Sequence, residues 1–203
     1  MGYNGIDVDS GAAGRRIVGT MPVTSQVTYA KGGSNMSTSK VLSPTSRVRF
    51  GLARADVTPP ANIYHRMWGA ARHDRASGVH RPIMAEVMVF GPTECAGVRM
   101  VRAQLDLVGL VIGQHDRIVT ALSQAAATSP ENVVVTYSHS HSSGWFHPSR
   151  LELPGGELIL GYIDELVAKM SDAGRRAADA MQEAIITYGA GRCNMAANRD
   201  YWD

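Results

Sequence analysis

Ser138-His139-Ser140-His141-Ser142 places two imidazoles two residues apart, just past the apolar run Val133-Val134-Val135. In an extended chain, residues i and i+2 point to the same side, roughly 6–7 Å apart at the backbone. Both rings can therefore be aimed into one space. Imidazole suits zinc, and a His-x-His pair commonly supplies the first ligands of a zinc site. The chemistry would be that of a metal and a polarised water. The same five residues also read as a solvated strand end, or as a hydrogen-bonded pair without chemistry. Taken alone, they leave these readings open.

Other chemistries fit less well. Cys95 and Cys193 are far apart and neither belongs to a CxxC pair, which argues against a closed structural zinc site. Ser138, Ser140, Ser142 and Ser143 invite a serine nucleophile, but the chain has no GxSxG elbow. Asp106 ends an apolar strand, an expensive place for a carboxylate without a partner. It could orient a ligating histidine from behind, or merely cap a turn. His65, His73, His80, His115 and His147 show no paired spacing and read as loop or surface residues.

The elements that position these residues follow from periodicity. The run Val133–Tyr137 reads as a strand buried on both faces. Its polar continuation falls at the C-terminal end, where open α/β sheets place their sites. An alternating strand is expected over Ser46–Ala55, ended by Pro59-Pro60, and two more near Met84–Phe90 and Val98–Leu105. Helical spacing of Ile118, Val119, Leu122 and Ala126 predicts a helix over about 112–127. A longer apolar stripe, including Ile159, Leu166 and Met170, predicts one over about 157–183. That methionine-bearing stripe reads as core rather than as a cofactor box. A last strand is expected at Ile185–Gly191. The fold class is α/β, a mixed sheet with flanking helices.

Composition narrows the partners. The chain has 203 residues, 44% of them hydrophobic, and a formal charge of +2 that is spread rather than clustered. Neither nucleic acid nor an anionic membrane is implied. No stretch approaches the roughly 20 apolar residues of a transmembrane segment. Met1-Gly2-Tyr3-Asn4 opens no signal peptide, so a cytoplasmic protein follows if Met1 is the true start. The two isolated cysteines fit a reducing compartment. Residues 1–45, rich in Gly, Ser, Thr and Asn, read as a disordered or loosely ordered leader, with the domain in 46–203. Because Asn198-Arg199-Asp200-Tyr201-Trp202 follows a strand directly, the fold is expected to continue past Asp203.

Several segments match one pattern in order: Arg54-Ala55-Asp56-Val57-Thr58-Pro59-Pro60, Met67-Trp68-Gly69-Ala70, Gly78-Val79-His80-Arg81, Leu105-Asp106-Leu107, Ser138-His139-Ser140-His141-Ser142 and Asn198-Arg199. In this series, residues 47–203 resemble the N-terminal part of the catalytic domain of the neutral/alkaline, non-lysosomal ceramidase family. The resemblance implies a zinc-dependent hydrolase that cleaves the N-acyl bond of ceramide or a related acyl-amide. It implies His139 as a zinc ligand, His141 as a catalytic residue beside the metal, and Gly69 and Arg199 as substrate-binding residues. It also implies that the remaining ligands (a histidine, a glutamate and a tyrosine) lie beyond Asp203, so that this chain alone is inactive.

One departure is plain. The family follows its second histidine with Ser-Gly-Pro, whereas here Ser142 precedes Ser143-Gly144-Trp145-Phe146. The added hydroxyl and rings point to a smaller or more polar amide. The alternatives are thus the same fold acting on another small amide, or an inactive, non-catalytic remnant. The sequence gives no oligomeric state.

Overall fold

The computed structural model describes residues 45–195, apart from Ala70, Cys95 and Ala96. The leader up to Pro44 and Arg199 lie outside the described residues. Two units are distinguished, one centred on Thr45–Ile186 and one that includes Thr187–Asp203. All the elements below begin in the first.

Five strands form one mixed sheet: β1 (Thr45–Asp56), β2 (Met84–Gly91), β3 (Met100–Leu105), β4 (Val133–Tyr137) and β5 (Gln182–Thr187), in the order β4-β3-β2-β1-β5. β1 with β2 and β2 with β3 are antiparallel, while β3 and β4 are parallel. The parallel pair is joined through helix α1 (Ile112–Ala125), as a crossover requires. Helix α2 (Ile159–Asp179) follows β4. The α/β class, the mixed sheet and both helices are as the sequence implies.

The alternation of burial explains the layering. Ala53, Val87 and Ala103 are partners in register and all are buried. They face the side covered by the helices, where Ile118 and Leu122 of α1 and Ile163, Leu166 and Met170 of α2 complete the core. Each such aliphatic side chain, fully buried, contributes about 1.5–3 kcal/mol. Gly51 lets α2 sit directly on β1, because a Cβ there would lie 1.9 Å from the carbonyl oxygen of Ala177. The opposite face carries Leu52, Met100 and Val134 in exposed positions, with an Arg54–Glu86 ion pair at 2.7 Å between register partners.

Some boundaries differ from the periodicity. Among the described residues β4 stands at the sheet's edge, and it is not buried on both faces: Val133 is buried but Val134 is 49% exposed. A run of valines cannot report burial here, because β-branched residues suit an open pleated face as well. α2 ends at Asp179 although its apolar spacing continues. The chain turns at Ala180, and Arg49 donates to the carbonyl of Met181 at 3.0 Å. β5 therefore starts about three residues earlier than its apolar pattern suggests.

Candidate active site

Parallel pairing of β3 with β4 puts Leu105 opposite Tyr137. The segments that leave these two ends, 106–111 and 138–147, are thereby brought together. β1 ends and β2 begins at the same edge, since Asp56 pairs with Met84 and Ala85 with Leu105. The long 57–83 connection is thus a third contributor. Its base is closed by Val57 N–H donating to Ile83 O at 2.8 Å and Ile83 N–H to Thr58 Oγ1 at 2.7 Å. The hydroxyl and backbone N–H of Thr58 both donate to Asp56, and these bonds, the hydroxyl's first, hold its carboxyl below the usual range.

His139 does not continue an extended strand. β4 stops at Tyr137, and His139 takes φ +56°, in the left-handed region. Such a conformation in a non-glycine residue persists only where its surroundings over-determine it. Here Ser138 N–H donates to Leu105 O at 3.0 Å, and His139 Nδ1 donates to Val108 O at 2.9 Å. A carbonyl can only accept, so Nδ1 carries the hydrogen, and in the neutral ring Nε2 keeps its lone pair. The two imidazoles do meet, with ring centroids 5.0 Å apart and planes at 67°. They meet through a turned loop rather than through strand alternation.

His141 is flanked on its other side by Trp68, whose indole lies 4.2 Å away, centroid to centroid, in an edge-on arrangement. Trp68 is carried by the loop around Gly69. Arg66 gathers that loop by donating to Gly69 O at 3.3 Å. Gly69 itself is exposed, and a Cβ on it would meet nothing within 4 Å. Gly144, by contrast, is required: its φ is +86°, and a Cβ would lie 2.3 Å from Cβ of His65. The 57–83 connection and the histidine loop are pressed together at that point.

Beside the loop is a cavity of about 540 Å³, within the range of small-molecule sites. Pro59, Ile63, Val79 and Ile83 give it apolar walls, and Asp106, Ser138, Ser140 and Ser142 line its polar side. His139 and His141 alternate with those serines along the chain and are not among the lining residues. Asp106 is exposed rather than buried. The strand has already surfaced where it stands, which removes the burial penalty that suggested a partner.

The loop that follows corrects a second expectation. Ser143 is 1% exposed, and its hydroxyl accepts from Val108 N–H and donates to Ser140 O, each at 3.1 Å. Its hydrogen is committed to a backbone carbonyl, although the residue also lines the cavity. Phe146 is 1% exposed and packs on Tyr162 with centroids 4.8 Å apart, so its ring is core rather than a gate. Trp145 alone is at the surface, with the Arg150 guanidinium 5.2 Å from its ring. Sequence reasoning also missed a pair: His115 Nδ1 lies 2.9 Å from the Tyr137 hydroxyl, which burial pushes up to about 12. No local spacing signals it, because α1 and β4 are brought together by packing. His65 and His73 lie 5.7 Å apart. His80 lines the cavity, and His147 Nδ1 accepts from Ser149 N–H.

Among the described residues, no group of three or more His, Cys, Asp or Glu side chains could hold a metal ion. The free Nε2 of His139 fits a metal donor, and His141 is close by, but two imidazoles fall short of the three ligands of a catalytic zinc.

Solved structures share this architecture. A neutral ceramidase from Pseudomonas aeruginosa matches with a TM-score of 0.53 and 22% identity over 69% of this chain. A structure described as ceramidase complexed with C2 matches with the same values. The fold is similar to that of a ceramidase. The chain spans 22% of the length of these ceramidase chains. No family model matches it, and no curated protein does. Among the described residues, no helix is long and apolar enough to cross a membrane.

Proposed function

We propose that this chain carries the first part of a zinc-dependent amide-hydrolase site, in a protein that cleaves the N-acyl bond of ceramide or a related acyl-amide. The observation that carries the proposal is the meeting of His139 and His141 at 5.0 Å, on the loop that leaves the parallel strand pair of a ceramidase-like fold. His139 would hold the ion through Nε2, oriented by the Val108 carbonyl. His141, backed by Trp68, would stand beside it and meet the substrate's amide or its leaving amine. Such an ion would supply Lewis-acid polarisation and a more acidic water. The cavity beside Ser138, Ser140 and Ser142 would take the substrate, with Asp106 on its polar side. The remaining ligands would come from beyond Asp203.

The test is turnover by the protein extended over the full ceramidase-like length, with and without zinc. The ratio of kcat/KM for long-chain ceramide against short N-acyl amides separates ceramide from smaller substrates. Metal-dependent release of fatty acid supports the reading. No hydrolysis of any N-acyl amide, with zinc supplied, sinks it. The ligand set among the described residues, short of three, favours a second reading, a binding scaffold without turnover. Ligand capture with no release of acid would single it out.

A further inference from the structure

Val108 is held from two sides by the histidine loop. Its N–H donates to Ser143 Oγ at 3.1 Å, and its carbonyl accepts from His139 Nδ1 at 2.9 Å. Ser143 Oγ then donates its own hydrogen to Ser140 O at 3.1 Å, between the two histidines in sequence. One buried hydroxyl thus joins the segment that orients His139 to the segment that carries it. Gln114 of α1 secures the far side, with Nε2 donating to Phe146 O at 2.9 Å. We infer that Ser143 is a positioning residue: through Val108 it fixes the Nδ1–H tautomer and the direction of His139, leaving Nε2 aimed as a metal donor. This rests on the reading of His139 as a metal donor, and it deepens that reading.

The chemistry accounts for the choice of serine. Val108 N–H and Ser140 O are a donor and an acceptor that both need partners, and only a group able to accept and donate at one atom serves both. Ser143 is 1% exposed, so in the folded chain its hydroxyl, rather than bulk solvent, serves both partners. Without it, Val108 N–H is stranded, the 106–111 segment shifts to find another acceptor, and its carbonyl leaves His139. Partners of this kind, which hold a ligating imidazole from behind, typically cost 10–100-fold in metal affinity when removed.

The experiment compares the 203-residue chain with its Ser143→Ala variant, using histidine side-chain ¹⁵N resonances without metal and then in a zinc titration. Expected for Ser143→Ala is a mixed tautomer at His139 and at least about a ten-fold weaker response of its Nε2 to zinc. A folded variant that keeps Nδ1–H and the zinc response overturns the inference, even if its thermal midpoint falls. If the variant does not fold, hydrogen exchange in the unmodified chain decides. A Val108 amide protected like those of β3 supports the clamp, and one that exchanges like an open loop refutes it. A chain that holds the tautomer but ignores zinc sinks the proposed function and leaves the clamp standing.

Discussion

Trp68 and His141 lie edge to face with ring centroids 4.2 Å apart, although 73 positions separate them in the chain. The contact ties the 57–83 connection to the histidine loop at the residue expected to meet substrate. Aromatic pairs in such geometry add about 0.5–1.5 kcal/mol beyond their area. Replacing Trp68 by Ala should therefore move the His141 ring-proton resonances, because the indole's ring current is lost, and leave those of His147 in place. Unchanged His141 resonances would show that the two rings do not pair in solution.

Gly144→Ala should be among the most damaging changes at the site. An alanine in the left-handed region costs about 1–2 kcal/mol, and overpacking against His65 about 1–3 more. A drop in the thermal midpoint accompanied by loss of the Trp68–His141 contact is expected. A variant as stable as the parent would mean that the loop and the 57–83 connection are not pressed together.

The two rings after Gly144 should behave oppositely. Phe146→Ala empties a core position against Tyr162 and should cost about 3–5 kcal/mol. Trp145→Ala loses its ring contacts with His147 and Arg150, about 1–2 kcal/mol. Denaturant midpoints of the two variants test this, and similar losses would contradict it.

Alkaline pH should weaken the fold. Burial raises the Tyr137 hydroxyl to about 12, and burial, with the Glu165 and Asp56 carboxylates nearby, raises Tyr162 too. An unfolded tyrosine ionises near about 10. Above that pH the unfolded chain holds fewer protons than the folded one, so stability falls as pH rises. The contribution is intact below about pH 10 and is lost as pH climbs through the folded value. Tyr162 also donates to Val57 O at 2.7 Å, so Tyr162→Phe should cost about 1–3 kcal/mol at neutral pH. A double Tyr137→Phe, Tyr162→Phe variant should show a flatter decline between pH 10 and 12. An unaltered decline would assign it to other groups.

The sheet strands and both helices were legible because period-two and period-3.6 patterns are local. The histidine pair was legible for the same reason, since two residues apart in sequence stay close in any loop. What the sequence did not reveal depends on register. Val108 reaches His139 because Leu105 pairs with Tyr137, and nothing in either segment announces that pairing. Trp68 and Ser143 stood in the quoted motifs, yet their roles come from partners far along the chain. Phe146 read as a ring on the substrate's side because the pair Trp145-Phe146 is too short to carry a periodicity that marks one of the two as core. Arg199 lies outside the described residues.

The most direct measurement is a zinc titration of the 203-residue chain, followed at the Nε2 resonance of each histidine. We expect His139 to respond first and His141 less, with weak affinity, because the described residues hold too few ligands for a closed site. His139→Ala should abolish the response, whereas His141→Ala should leave most of it. A silent His139, or a response led by His73 or His147, would contradict the assignment. Tight stoichiometric binding would contradict the view that the ligand set is completed elsewhere.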